Sequence, residues 1–193
     1  MTTPRVEPPD FDRLYRQDAD PWRVTTSAYE RRKNAVLLAS LPSERYVTVW
    51  EPGCGVGALS RELAGRADHL IASDASEVAV RLTSERCADL AQVTVHHSGL
   101  PDSPLSQPVD LVVAAEFLYY LPDLPGSLDV LWQQLRPGGH LATVHWRHDA
   151  EDVTRSGAAL HVDLAADATD RGARHLVHHD DEHFVIDVFG TDA

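Results

Sequence analysis

Between residues 47 and 59 the chain reads Val-Thr-Val-Trp-Glu51-Pro-Gly53-Cys54-Gly55-Val-Gly57-Ala-Leu: an apolar run, a carboxylate, then glycine at alternate positions. The apolar run fits a buried strand, and the residues after Gly57 begin a helix. Glycines spaced in this way let backbone close on a ligand, because no Cβ intervenes and positive φ costs them little. Such a turn predicts a flat small molecule read by backbone groups. Glu51 sets the charge of that ligand, since a carboxylate at the mouth of the loop repels a pyrophosphate and attracts a cationic amine. The alternative is a tight strand-to-helix turn that binds nothing.

Further polar residues fall at the ends of later apolar runs. Asp74 follows Leu70-Ile-Ala-Ser, one strand and helix after the glycine turn, where a carboxylate accepts both hydroxyls of a ribose. Its competing role is to cap the next helix, for which Ser76 is the better candidate. Ala75, Ser98, Gly99 and Leu100, after the second and third strands, are further candidates for ligand contacts. Glu116, Tyr119 and Tyr120 close the fourth strand, where ligands of parallel sheets collect, although Tyr119 also reads as a core aromatic. The fifth ends in His145-Trp146-Arg147-His148. His145 is the expected general base, with Glu116 second and Tyr120 beside them, since histidine titrates near neutrality. Tyr15, Tyr119, Trp146 and Arg147 are read as facing an acceptor. No third residue joins His145 and His148 at a metal-ligand spacing, so no metal site is expected. The remaining histidines, among them His96, His97, His178, His179 and His183, are expected on solvated strand faces and turns.

The elements that must position these residues alternate. Strands are predicted at 46–50, 70–73, 93–96, 111–115 and 140–146, and helices at 57–65, 76–90 and 126–135. Arg136-Pro-Gly-Gly139 separates the last helix from the last strand, and a helix at 156–168 follows. Short apolar strands alternating with helices mean an α/β fold, a parallel sheet covered on both faces. Runs at 174–178 and 183–189, joined by Asp180-Asp181-Glu182, predict a hairpin and one antiparallel strand at the sheet edge. Residues 1–9 hold three prolines and no periodicity and predict a mobile lead-in; a short helix near Phe11, a loop with an exposed Trp22 and a helix capped by Ser27 follow. Residues 1–44 are therefore read as an extension with cap helices, and 45–193 as the ligand-binding core of a single domain.

At 193 residues and a net charge of −13, the chain suits neither a nucleic-acid nor an anionic-membrane partner, which a basic surface would serve. It has no apolar run of membrane-spanning length and no signal-like N-terminus, so a cytoplasmic location is expected. Its two cysteines, Cys54 and Cys87, form neither a disulfide framework nor a metal spacing and are read as reduced thiols. Nothing in the sequence sets an oligomeric state.

Gly53, Gly55 and Ala58 also satisfy the dinucleotide pattern G-x-G-x-x-G/A, but Glu51 and Gly57 do not belong to it. Glu51 to Gly57 resembles instead the first motif, E/D-x-G-x-G-x-G, of class I S-adenosylmethionine (SAM)-dependent methyltransferases. With Asp20-Pro-Trp22, Tyr29-Glu-Arg-Arg32-Lys33, Glu116-Phe-Leu-Tyr-Tyr-Leu and Val144-His-Trp-Arg-His148, the chain is similar over residues 10–150 to the nodulation protein S (NodS-like) branch. The resemblance implies a Rossmann-like fold with a seven-stranded, mostly parallel sheet, one antiparallel edge strand and helices on both faces. It also implies SAM as cofactor, S-adenosylhomocysteine (SAH) as product, and Arg32 pairing with the cofactor carboxylate, with Trp22 and Tyr29 in the cap. The founding members N-methylate a free amine on a deacetylated chitooligosaccharide, which implies a small-molecule acceptor such as a saccharide amine. Ala28, Gly99 and the helix after Ser156 depart from the family pattern; the resemblance implies an acid near Gly99 for the adenine, which here leaves that contact to backbone, Ser98 or Asp102. Competing classes are a small-molecule O-methyltransferase, a NAD-type oxidoreductase and a SAM-binding protein without turnover.

Overall fold

The computed structural model describes residues 8–192. Seven strands form one sheet: β1 (Tyr46–Pro52), β2 (Ala67–Asp74), β3 (Val93–His97), β4 (Val109–Ala115), β5 (Leu135–Trp146), β6 (Arg174–Asp180) and β7 (Phe184–Gly190), in the order β3-β2-β1-β4-β5-β7-β6. The first five run parallel, whereas β7 is antiparallel to both β5 and β6. The predicted hairpin is therefore the antiparallel edge of the sheet, with its reversed strand one place in. β4, Val-Asp-Leu-Val-Val-Ala-Ala, is buried along all but its last residue, as a strand covered on both faces must be. The outermost strand, β6, is largely exposed and carries arginine, histidine and aspartate, which discourage edge-to-edge pairing. From β1 the chain steps outward to β2 and β3, then returns to the other side of β1 as β4. That reversal opens a crevice beyond the carboxyl ends of β1 and β4.

Helices cover both faces: α1 (Phe11–Gln17), α2 (Ala28–Ser40), α3 (Ala58–Leu63), α4 (Glu77–Arg86), α5 (Leu124–Gln133) and α6 (Gly157–Asp170). The side chains of Asp10, Ser27, Ser76, Asp123 and Ser156 cap α1, α2, α4, α5 and α6 by accepting a first-turn backbone N–H. One core layer joins Trp50, Val112, Leu118, Leu131, Leu141 and Leu160; the other joins Leu37, Val49, Leu63, Leu70, Leu111 and Ile186. Leu37, wholly buried, fastens α2 to the second layer, and truncation to alanine there costs about 2 to 5 kcal/mol. Arg136-Pro-Gly-Gly139 is not a break before the strand but a bulge inside β5, for Val109 pairs with Leu135 and Leu111 with His140. The lead-in expected at 1–9 falls outside the described residues as far as residue 7, while Pro8 and Pro9 lie along the crevice. Among the described residues no helix is long and apolar enough to cross a membrane.

Candidate active site

The crevice is a cavity of about 670 Å³, floored by the ends of β1, β2 and β4 and roofed by α1, α2 and the loop between them. Gly53, Gly55 and Gly57 all have positive φ, so the turn depends on glycine at each. They face different neighbours. A Cβ on Gly53 would lie 2.7 Å from the Phe117 ring, and one on Gly55 3.2 Å from the Tyr15 hydroxyl, both on the cavity wall. Gly57 does not line the cavity: a Cβ there would meet Thr83 of α4 at 2.9 Å, so this glycine serves helix packing rather than ligand clearance. Cys54 lines the cavity as a buried free thiol.

Glu51 reaches the cavity wall almost wholly buried, and its Oε2 has no hydrogen-bond partner. Burial pushes its carboxyl up to about 8, with the nearby Asp74 charge adding to the shift. Asp74 accepts the Gly55 N–H on one oxygen and the Ser76 N–H on the other, each at 2.9 Å, while Ser76 caps α4 as expected. One carboxylate thus clamps the glycine turn to the start of α4 and keeps lone pairs toward the cavity. Ala75, Gly99 and Leu100 lie beside it. Gly99 is glycine because a Cβ would sit 2.6 Å from that of Ala75, which leaves no room for a side chain there. Ser98 does not line the cavity; its backbone N–H goes to the Asp74 carbonyl.

Glu116 organises the opposite wall. It holds a φ of +60°, a strained conformation for a non-glycine residue that persists only where surrounding contacts enforce it. Its Oε1 accepts the Lys33 ammonium at 2.5 Å, and its Oε2 accepts the Tyr119 hydroxyl at 2.6 Å and the Trp146 N–H at 2.9 Å. Lys33 also donates to Glu30 and lies 5.2 Å from the Tyr29 ring centroid. Burial works against the Lys33 charge, but the two carboxylates outweigh it and hold the pKa above the ordinary lysine value. Tyr119 and Tyr120 stack edge-on at 4.7 Å, and Phe11 packs edge-on against Tyr120. Trp22, the exposed tryptophan expected from sequence, shields the roof beside Tyr15. Tyr15, expected to face an acceptor, lines the same cavity and stands with its hydroxyl over Gly55.

Besides Gly57 and Ser98, three expected site residues lie away from the cavity. His145 is fully buried and absent from the cavity wall: its ring packs behind Tyr119, and its Nδ1 contacts His161 Nε2 at 3.1 Å. Burial, with the neighbouring His161 and Lys33 charges adding, drives its pKa well below the ordinary histidine value, so it is no base for a ligand it cannot touch. Arg32 points outward, bonds Asp181 at 2.6 Å and stacks over Phe184. Arg147 likewise turns to Asp180 and the Asp181 carbonyl. The cation in the cavity is Lys33, which sequence reasoning passed over. Its signal was present: Tyr29, Lys33 and Leu37 recur every four residues and share a helix face, whereas Arg32 does not.

The profile of the family described as Nodulation protein S (NodS) matches residues 10–163, which include α1 to β5 and all of the cavity lining but Pro8 and Pro9. The chain belongs to the nodulation protein S family. Nodulation protein S of Rhizobium tropici is 33% identical over 126 residues, 63% of this chain and 53% of that protein. Its counterpart from Sinorhizobium fredii is 29% identical over 138 residues, 68% and 64% of the two chains. The match thus spans between half and two thirds of these nodulation protein S relatives. The N-methyltransferase NodS from Bradyrhizobium japonicum WM9, crystallised with SAH, superposes with a TM-score of 0.79 over 96% of this chain and 100% of its own. At 21% identity that likeness establishes the Rossmann-like methyltransferase fold for this member of the nodulation protein S family.

Proposed function

We propose that the protein transfers the methyl group of SAM to the nitrogen of a small-molecule amine, an amino sugar being the favoured acceptor. The observation that carries this reading is the Glu51 carboxylate, buried on the cavity wall with Oε2 unpartnered beside the glycine turn. An orphaned buried carboxylate is costly and calls for a cation, which the amino end of SAM supplies and a dinucleotide pyrophosphate does not. Asp74 has lone pairs free for ribose hydroxyls, and the slot at Ala75, Gly99 and Leu100 is apolar, leaving the adenine edge to backbone groups.

SAM bound there supplies an electrophilic methyl. The chain's own contribution is alignment and exclusion of water: Tyr119, Tyr120 and Trp146 wall the acceptor end, and dispersal of sulfonium charge is favoured in dry surroundings. Burial keeps the Tyr120 phenol neutral, so its oxygen can accept an N–H of the amine and leave the nitrogen lone pair for the methyl. Glu116 is already bonded to three donors, so it orients the amine while the acceptor arrives as the free base. The walls carry Asp20, Glu30, Asp152 and Glu116 against Lys33, the one cationic side chain among the described lining residues. Such a wall favours an amine over a carboxylate acceptor.

The test follows SAH production with SAM and a panel of amino sugars, simple amines, sugar hydroxyls and carboxylic acids. Turnover confined to amines is the expected result. Turnover on acids or hydroxyls, or SAH binding with no turnover on any acceptor, overturns the reading.

A further inference from the structure

Asp187 of β7 gathers three imidazoles. Its Oδ2 meets His161 Nδ1 of α6 at 2.5 Å, and its Oδ1 meets His175 Nε2 at 2.6 Å and His178 Nδ1 at 2.7 Å, both from β6. Three residues apart, His175 and His178 would face opposite sides of a regular strand. A register shift between His175 and Val177 turns both toward Asp187. The aspartate side chain is 1% exposed, while those of His175 and His178 are 40% and 54% exposed, so solvent reaches the cluster from one side.

We propose that His175, His178 and Asp187 bind one divalent cation of the zinc class, with water completing a tetrahedral shell. Each contributes one ligand atom, and the three lie within 4.8 Å of one another. Zinc holds imidazole nitrogen and carboxylate oxygen at about 2.0 to 2.2 Å, which sets ligand atoms roughly 3.3 Å apart. The hairpin geometry therefore needs the two histidine rings to move by about an ångström, through rotation of exposed side chains. Each imidazole presents a lone pair to the ion and keeps its proton on the other ring nitrogen. His161, buried and in contact with His145, holds the second carboxylate oxygen and so fixes the ligand from behind, as outer-shell partners of metal sites do. The net charge of −13 adds a favourable field for a cation. Spacing alone predicted no metal set, because these ligands converge only through the hairpin and its bulge. None of the three lines the cavity, so the proposal does not rest on the methyl-transfer reading.

Full-length protein, freed of metal by a chelator and dialysed, is titrated with Zn²⁺ by calorimetry and with Co²⁺ by visible absorption. The expected result is one ion per chain and a melting temperature that rises with Zn²⁺. His175→Ala and His178→Ala each weaken binding by about 100-fold and remove the rise, with unchanged circular dichroism and SAH affinity. Both substitutions fall on exposed side chains and leave buried Asp187 in place, so the fold survives them. Binding as tight in both variants as in the wild type puts the ion elsewhere and overturns the proposal; so does a wild type that binds neither metal.

Discussion

Replacing Glu51 by glutamine removes an ionisable acid from the cavity and keeps its shape, and its consequences follow from the elevated pKa of about 8. Burial is the main cause. A carboxyl raised in the folded state favours folding when protonated, so this stability is complete below the unfolded value near 4.5 and drains away as the pH rises toward 8. By pH 7 the loss amounts to about 3 kcal/mol, and glutamine, which never ionises, avoids it. Glu51→Gln is therefore expected to raise the ligand-free melting temperature at pH 7 and to remove this part of its decline with pH. Binding runs the other way. An amine seeks the ionised acid, which makes up about 1% of the protein at pH 6 and about a tenth at pH 7, so the wild-type Kd for SAH falls about tenfold between them. The variant binds more weakly and without that slope. Calorimetry with SAH at the two pH values, beside thermal melts, decides the matter. A wild-type Kd indifferent to pH, or a variant less stable than wild type at pH 7, refutes the assignment of Glu51 as a buried acid waiting for a cation.

Asp74→Ala removes the clamp on Gly55 together with the ribose acceptor, and SAH affinity should drop by roughly 10- to 100-fold in calorimetry. Lys33→Met leaves Glu30 and Glu116 facing each other without their shared cation, and urea denaturation should report a loss of about 3 to 5 kcal/mol. His145→Gln should leave the pH profile of turnover unshifted, because the imidazole lies behind Tyr119; a displaced profile would return this histidine to the mechanism. Arg32→Met, on the outer face of α2, should leave SAH affinity within about twofold of wild type, and a larger loss would show that the helix reseats on binding.

The sheet was legible because its determinants are local. Apolar runs such as Leu111 to Ala115, punctuated by glycine turns and serine caps, specify strands and helices without reference to distant residues. Glu51, Asp74 and Glu116 could be placed for the same reason, since the carboxyl end of a parallel strand points at the crevice wherever the strand occurs. His145 was misplaced because strand alternation allows either face, and only the packing of α6 decides which one is buried. Arg32 was preferred to Lys33 on the strength of a resemblance, although the four-residue rhythm of Tyr29, Lys33 and Leu37 marked the inward face. The cluster on Asp187 was beyond the reach of spacing, for its partners come from a neighbouring strand and a helix, and a bulge sets their register.

The two roof helices are fastened very differently, and this governs how a ligand exchanges. α2 is anchored by wholly buried Leu37 and by the Lys33 ammonium between two acids. α1 has only seven residues; its polar tie is Asp12 to the Ser76 hydroxyl and the Val78 N–H, supplemented by a small cluster of Tyr15 with Val56 and Ala79 and by aromatic contacts of Phe11 and Tyr15 with Trp22 and Tyr120. Lifting α1 exposes this small cluster but strips no paired charge from a buried site, so the passage to Glu51 and Asp74 is expected to open on that side. The expected signature is a change in Trp22 fluorescence at the rate of nucleoside release, as Asp12 lets go of the cap of α4; release with no such change places the passage elsewhere.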